Sequence, residues 1–246
     1  MVLHHALSIN IGTGHQCCII ANIVFWGLSA LNLFVDFMSL RSESIRAMKI
    51  QPDKYLAPRE LRDVVIVAAF NMIILAPFVC CPLFELMWDA FHPVRLEQGK
   101  DPFCWQRECA LFLVIAAIAE TSFYLTHMLL HQSFLYKHIH KIHHRFKAPT
   151  ALVGVYAHPL EFIFSHVFSI VIGPAIVNAH PYTTGFCFSV ALFSVCKGHS
   201  GYAILNATKH DDHHLHTNGN YSPLHVLDLL MGTAFVKTAV LRARVA

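Results

Sequence analysis

Two short runs of histidine carry the chemistry of this chain: His140, His143 and His144, then His210, His213 and His214 about seventy residues later, share the spacing HxxHH, and His127 and His131 precede them as HxxxH. On a helix, residues three and four apart stand on one side, so each run aims two or three imidazoles at one point. With 19 histidines among 246 residues, chance supplies roughly 0.1 HxxHH matches, so two matches point to metal ligation rather than to histidine-rich surface. Eight imidazoles exceed what one ion accepts, so the sequence predicts two metal ions. A redox role favours iron over zinc, which has no redox chemistry.

Other residues are weighed against these. Glu120, Tyr124, His127 and His131 follow i, i+4, i+7, i+11 and line one helix stripe. Glu120 is expected either to hydrogen-bond the distal nitrogen of a ligand imidazole or to pair with a neighbouring cation, and Tyr124, Tyr156 and Asn220 to orient what binds at the metals. His199, in Lys197-Gly198-His199-Ser200-Gly201-Tyr202, is expected to be a ninth ligand. His158, before Pro159, is read as a helix start or a group supporting the ligands. His138, His216 and His225 fall off the spacing and are read as interfacial or as supporting the ligands, and His4, His5, His15, His92, His166 and His180 as structural or exposed.

The elements that must position these residues are apolar. Hydrophobic residues make up 55 % of the chain and charged ones 13 %, with a mean hydropathy of +0.50, which is too oily for an ordinary soluble domain. Spans are predicted at Cys17 to Met38, Val64 to Trp88, and Cys109 to Leu130, each able to cross a hydrocarbon core that needs about 20 residues. Leu160 to Cys196 is interrupted at Gly173-Pro174 and Asn178-Ala179-His180-Pro181, which predicts a helical hairpin that enters and returns on one side. The first segment is expected to act as an uncleaved anchor. Arg41, Arg46, Lys49, Lys54, Arg59 and Arg62 between the first two spans, against Arg95, Lys100 and Arg107 in the next loop, place the first loop in the cytoplasm. Threading from there brings every histidine run to that same face. The fold class is therefore an all-α integral membrane helical bundle with a cytoplasmic-face, histidine-rich metal site. Residues 1–107 are expected to form anchor helices and 108–246 the metal-bearing part, as one integrated unit.

Composition also excludes. The formal charge of +3 comes from scattered loop residues, so nucleic acid is not an expected partner. The eight cysteines lie mostly in apolar stretches, without disulfide or zinc-ribbon spacing.

The ordered set HMLLH (His127 to His131), YKHIHKIHH (Tyr136 to His144), YAHPLE (Tyr156 to Glu161), HSGY (His199 to Tyr202), HDDHHLHTNGNYS (His210 to Ser222) and LDLLMGT (Leu227 to Thr233) resembles the fatty acid hydroxylase and sterol desaturase superfamily. Within it the chain is similar to 4-methylsterol monooxygenases, cholesterol 25-hydroxylase and fatty acid hydroxylase domain-containing proteins. The resemblance implies an endoplasmic-reticulum enzyme whose histidines hold two Fe2+ ions and which uses O2 to hydroxylate or oxidise an unactivated C–H bond of a sterol or related lipid. Electrons would come from NAD(P)H through cytochrome b5 and its reductase. Fatty-acyl desaturation or hydroxylation is the alternative chemistry, and a metal-binding membrane protein or a catalytically idle relative the alternative of another class. Two positions depart from the pattern: Ala203 follows HSGY where relatives often carry His, Asn or Asp, and Ser222 stands where Gly or Ala is common.

Overall fold

A computed structural model describes residues 12–92, 103–203 and 208–235. It is 76 % helical, with no strand among the described residues. Four helices are long and apolar enough to cross a membrane: α1 (Thr13–Ser39), α2 (Pro58–Phe91), α3 (Trp105–Leu130) and α4 (Pro159–Val177). They are followed by α5 (Pro181–Gly198), α6 (Thr208–His216) and the short α7 (Val226–Met231). Large apolar side chains stand exposed on their outer faces, Ile23, Phe78, Leu86 and Leu113 among them. Such a surface suits lipid rather than water. His4, His5, Arg95 and Lys100 lie outside the described residues.

Local chemistry explains the helix ends. α2 starts with Pro58 in its first turn, and Glu60 Oε2 accepts from the Ala57 N–H at 2.9 Å. Pro77 would break an α-helical ladder, because it lacks an N–H and crowds the carbonyl four residues back; the chain from Phe70 to Cys80 takes π-helical pairing instead and continues. The α4–α5 pair is the predicted hairpin. Both arms begin with a His-Pro step, where His158 Nδ1 accepts from Leu160 N–H and His180 Nδ1 from Tyr182 N–H, each at 3.2 Å. His158 is thus the helix start that the sequence indicated. The turn falls at Asn178, in the left-handed region at φ 50°, which Asn tolerates. Gly173-Pro174 does not interrupt the arm, contrary to expectation. Pro174 sits inside the helix, and Gly173 is where α4 touches α3, since a Cβ there would lie 3.2 Å from Ile115 Cγ2.

The first two helices do more than anchor. Buried Asn32 on α1 donates to Ser200 O at 3.1 Å and accepts from Ala151 N at 2.8 Å. Asn71 on α2 donates to Val155 O and Ala157 O. Both therefore hold backbone segments that flank the histidines. Lys49 is buried with Nζ 2.7 Å from Asp36 Oδ1, which also accepts from Tyr202 OH at 2.9 Å. Lys49→Met should strand the Asp36 charge and destabilise the fold by about 3 to 5 kcal/mol. Thermal unfolding in detergent reads this, and a loss below about 1 kcal/mol would count against it.

Candidate metal centre

Nine histidines arrive from five places. His127 is in the last turn of α3 and His131 caps it, His140 ends a π-helical turn (Tyr136–His140), His143 and His144 open a 3-10 turn (His143–Arg145), His199 caps α5, and His210, His213 and His214 lie on α6. They form two groups, His127, His131, His140, His144 and His213 in one, and His143, His199, His210 and His214 in the other. Within a group, one nitrogen from each residue lies within 4.8 Å of all the others, and each group could hold a metal ion. Each HxxHH run is divided between the two groups, which corrects the expectation from spacing that a run aims at one point. The i, i+4 pair His140 and His144 faces the first group while His143 between them faces the second; on α6 the pair His210 and His214 faces the second and His213 the first.

Hydrogen bonding on the far side of the rings defines what the near side offers. The Nδ1–H groups of His127, His143, His199 and His213 donate to the carbonyls of Tyr221 (2.7 Å), Tyr156 (3.2 Å), Val195 (2.8 Å) and Gly219 (2.6 Å). A carbonyl can only accept, so the proton is on Nδ1 and each neutral ring presents an Nε2 lone pair. The same holds for His140, whose Nδ1 is 2.8 Å from Glu161 Oε1. Yet Nε2 of His127 is 3.1 Å from Nε2 of His140, and that of His199 is 3.3 Å from that of His143. Two lone pairs cannot hydrogen-bond each other. Ligand nitrogens about 2.0 to 2.1 Å from a shared ion sit roughly 2.9 to 3.4 Å apart for right-angled to tetrahedral geometry. The further Nε2 separations match: 3.0 Å for His131 with His140 and His144 with His140, 3.2 Å for His213 with His144, and 2.9 Å for His210 with His199. Both nitrogens of His214 are buried without a partner among the described residues. The donor set fits a cation in each group.

Burial, reinforced by neighbouring imidazoles, holds His143, His144, His210, His213 and His214 well below the ordinary imidazole range, and burial pushes His199 down to about 4. The unfolded chain binds more protons than the fold, so this stability is present above the ordinary histidine pKa of about 6.5 and is lost as pH falls from there towards about 4 and below. Metal-free protein should therefore melt at progressively lower temperature between pH 7 and pH 4.5. A flat profile over that interval would contradict the neutral, buried cluster.

The residues expected to support the ligands divide. Glu120 reaches no imidazole, which corrects the sequence reading: its oxygens accept from the N–H groups of Leu224 (2.8 Å), Val226 (3.0 Å) and Leu227 (3.3 Å) and tie down the start of α7. A carboxylate four residues from a helix-stripe tyrosine is as well suited to a helix N-terminus as to a histidine. The carboxylate on a ligand-type ring is instead Glu161, 1 % exposed on α4. It closes the YAHPLE motif and lies within an apolar span, where a charge marks function by default, so the same rule that singled out Glu120 would have found it. Tyr124 OH is 3.4 Å from Thr233 Oγ1. Asn220 donates to Lys209 O and accepts from Phe235 N, shaping the loop whose Gly219 and Tyr221 carbonyls orient His213 and His127. Ser222 and Tyr221 donate to the Asp228 carboxylate, which closes that loop. Ala203 is exposed, and its N–H donates to Met48 O at 3.0 Å.

A cavity of about 340 Å³ opens beside the histidines. Ile115, Ala119 and Phe123 of α3, Ile170 of α4 and Val190 and Ala191 of α5 form apolar wall, and His127, His140, His143, His199 and His210 line the metal end. His166, read from sequence as structural or exposed, is part of that wall, with Nε2 3.4 Å from Glu161 Oε1.

A bundle of membrane-length helices with two histidine groups that could each hold a metal ion, at the end of an apolar cavity, defines the class. The Fatty acid hydroxylase sequence profile matches residues 112–233. Fatty acid hydroxylase domain-containing protein 2 of Homo sapiens is 34 % identical over 218 residues, covering 86 % of this chain and 63 % of its own. A putative methylsterol monooxygenase of Dictyostelium discoideum is 32 % identical over 232 residues, covering 87 % and 81 %. A very-long-chain aldehyde decarbonylase of Oryza sativa subsp. japonica is 30 % identical over 167 residues, covering 62 % of each. The chain belongs to the fatty acid hydroxylase family. It spans 63 % of the length of the human relative. No solved structure gives a significant match.

Proposed function

We propose that this chain is a membrane oxygenase that uses O2 to oxidise an unactivated C–H bond of a sterol or related lipid at two iron ions, one held by His127, His131, His140, His144 and His213 and the other by His143, His199, His210 and His214. The observation that carries the proposal is the convergence of Nε2 lone pairs on the inner end of an apolar cavity. Bound iron would supply the O2 activation and the redox change that no side chain here can supply. The chain's own part is placement. The carbonyls of Tyr156, Gly219 and Tyr221 and the Glu161 carboxylate hold the imidazoles in one tautomer and orientation. The apolar walls admit a lipid and keep bulk water from the reacting carbon. Oxidation at this site needs electrons from outside the chain, for which NAD(P)H, a reductase and cytochrome b5 are the proposed source.

The relative whose own length is most fully covered among those described is a putative methylsterol monooxygenase, which supports a sterol substrate; acyl-lipid hydroxylation or desaturation is the alternative, supported by the human relative's name. The endoplasmic-reticulum membrane, with the histidines towards the cytosol, is the proposed setting, resting on the basic loop between α1 and α2. Residues 1–107 serve as anchor and brace, and 108–246 carry the ligands. The test is metal analysis of the purified chain followed by lipid analysis of cells with and without it under 18O2. About two iron ions per chain and a lipid gaining 18O, losing a methyl group, or losing two hydrogens are expected. An iron-free chain, or an unchanged lipid profile, would overturn the reading.

A further inference from the structure

The cavity holds a polar atom that neither the metal sites nor the fold uses. Ser169 lines it on α4 and is 2 % exposed, and its Oγ has no hydrogen-bond partner among the described residues. That is unusual for a helical hydroxyl, which ordinarily returns to the carbonyl of residue i−4. Thr121, Ser122, Thr126 and Ser189 all do so, at 2.7 to 2.9 Å. Ser169 follows the π-helical turn Phe162–Val167, whose altered pairing shifts the carbonyls beneath it, a device that recurs at functional sites. Ser165, four residues earlier on the same helix, pairs its own hydroxyl with Thr126 Oγ1 at 3.1 Å.

We propose that Ser169 Oγ binds the hydroxyl of a neutral lipid alcohol lying in the cavity. This deepens the lipid-oxidation reading and rests on it. The serine hydroxyl donates to and accepts from an alcohol equally well, so one group satisfies both. A free fatty-acid carboxylate suits the place less well, because it can only accept, the buried Glu161 carboxylate lines the same cavity, and the cavity's lysines, Lys197 and Lys209, adjoin His199 and His210 in the chain rather than Ser169. Ser169 is eight residues beyond Glu161 along α4, on the order of 10 Å by helical rise. The cavity therefore grips its occupant at a distance from the carbon presented to the histidines, and recognition is separate from reaction.

The test compares wild type with Ser169→Ala, both metal-loaded full chains in lipid nanodiscs, for binding of tritiated 1-hexadecanol and of hexadecane. Losing one net hydrogen bond should weaken 1-hexadecanol about five- to tenfold and leave hexadecane unchanged. Ser169→Thr should retain the alcohol preference. If the alanine chain does not fold, the nearly isosteric Ser169→Cys provides the same comparison. Equal affinity of wild type and variant for 1-hexadecanol, or an equal loss for alcohol and hydrocarbon, would overturn the proposal. 18O incorporation by wild type is read separately: alcohol binding that depends on Ser169 in a chain that oxidises nothing would remove the oxygenase reading alone, and oxidation with no Ser169 dependence of binding would remove this inference alone.

Discussion

His213→Ala should abolish lipid oxidation and leave the chain with at most one metal ion, whereas membrane insertion should be unaffected. The ring touches the first group through Nε2, 3.2 Å from His144 and 3.3 Å from His131, and its Nδ1–H is fixed by Gly219 O. Its removal takes a donor from a five-histidine set and opens a buried void. His143→Ala does the same to the second group. Iron quantification and turnover should fall together in both variants, turnover by at least about a hundredfold, the upper end of the loss seen when only a supporting residue is changed. Full turnover by both would exclude these residues as ligands.

Glu161→Ala should lower metal affinity about ten- to a hundredfold without removing any ligand. Its Oε1 is the acceptor for His140 Nδ1–H and lies 3.4 Å from His166 Nε2, and its charge raises the basicity of the His140 ring. Without it that ring can rotate or change tautomer, and a lone pair no longer faces the first group. Glu161→Gln keeps an acceptor and removes the charge, so it should fall between wild type and alanine. Metal titration against a chelator of known affinity measures the order. Glu120→Ala supplies the contrast: it should loosen the start of α7 and lower thermal stability, with a smaller effect on metal affinity. The reverse ranking of Glu161 and Glu120 would show that the wrong carboxylate has been placed beside the imidazoles.

The sequence made much of this arrangement readable because spacing and apolar length are local properties. The three early spans, the α4–α5 hairpin and the three histidine runs follow from residues that are near one another in the chain. What was hidden depends on contacts between distant segments. Glu120 and Glu161 are both carboxylates in apolar helices, and only packing decides that one meets the α7 backbone and the other meets His140. The division of each HxxHH run between two groups is equally invisible, since i and i+4 share a direction but i+3 diverges only once neighbouring helices are in place. Gly173-Pro174 looks like a break because composition registers the lost N–H but not the close approach of α3 that a glycine permits.

Because α6 contributes His213 to one group and His210 and His214 to the other, no stretch of polypeptide encloses either set of donors by itself. Biosynthesis delivers the earlier histidines first and α6 after them, so neither set of donors is complete until the hairpin has been made. Metal binding at either group would thereby wait until α6 has been made, and a chain stalled before α6 would hold neither donor set complete.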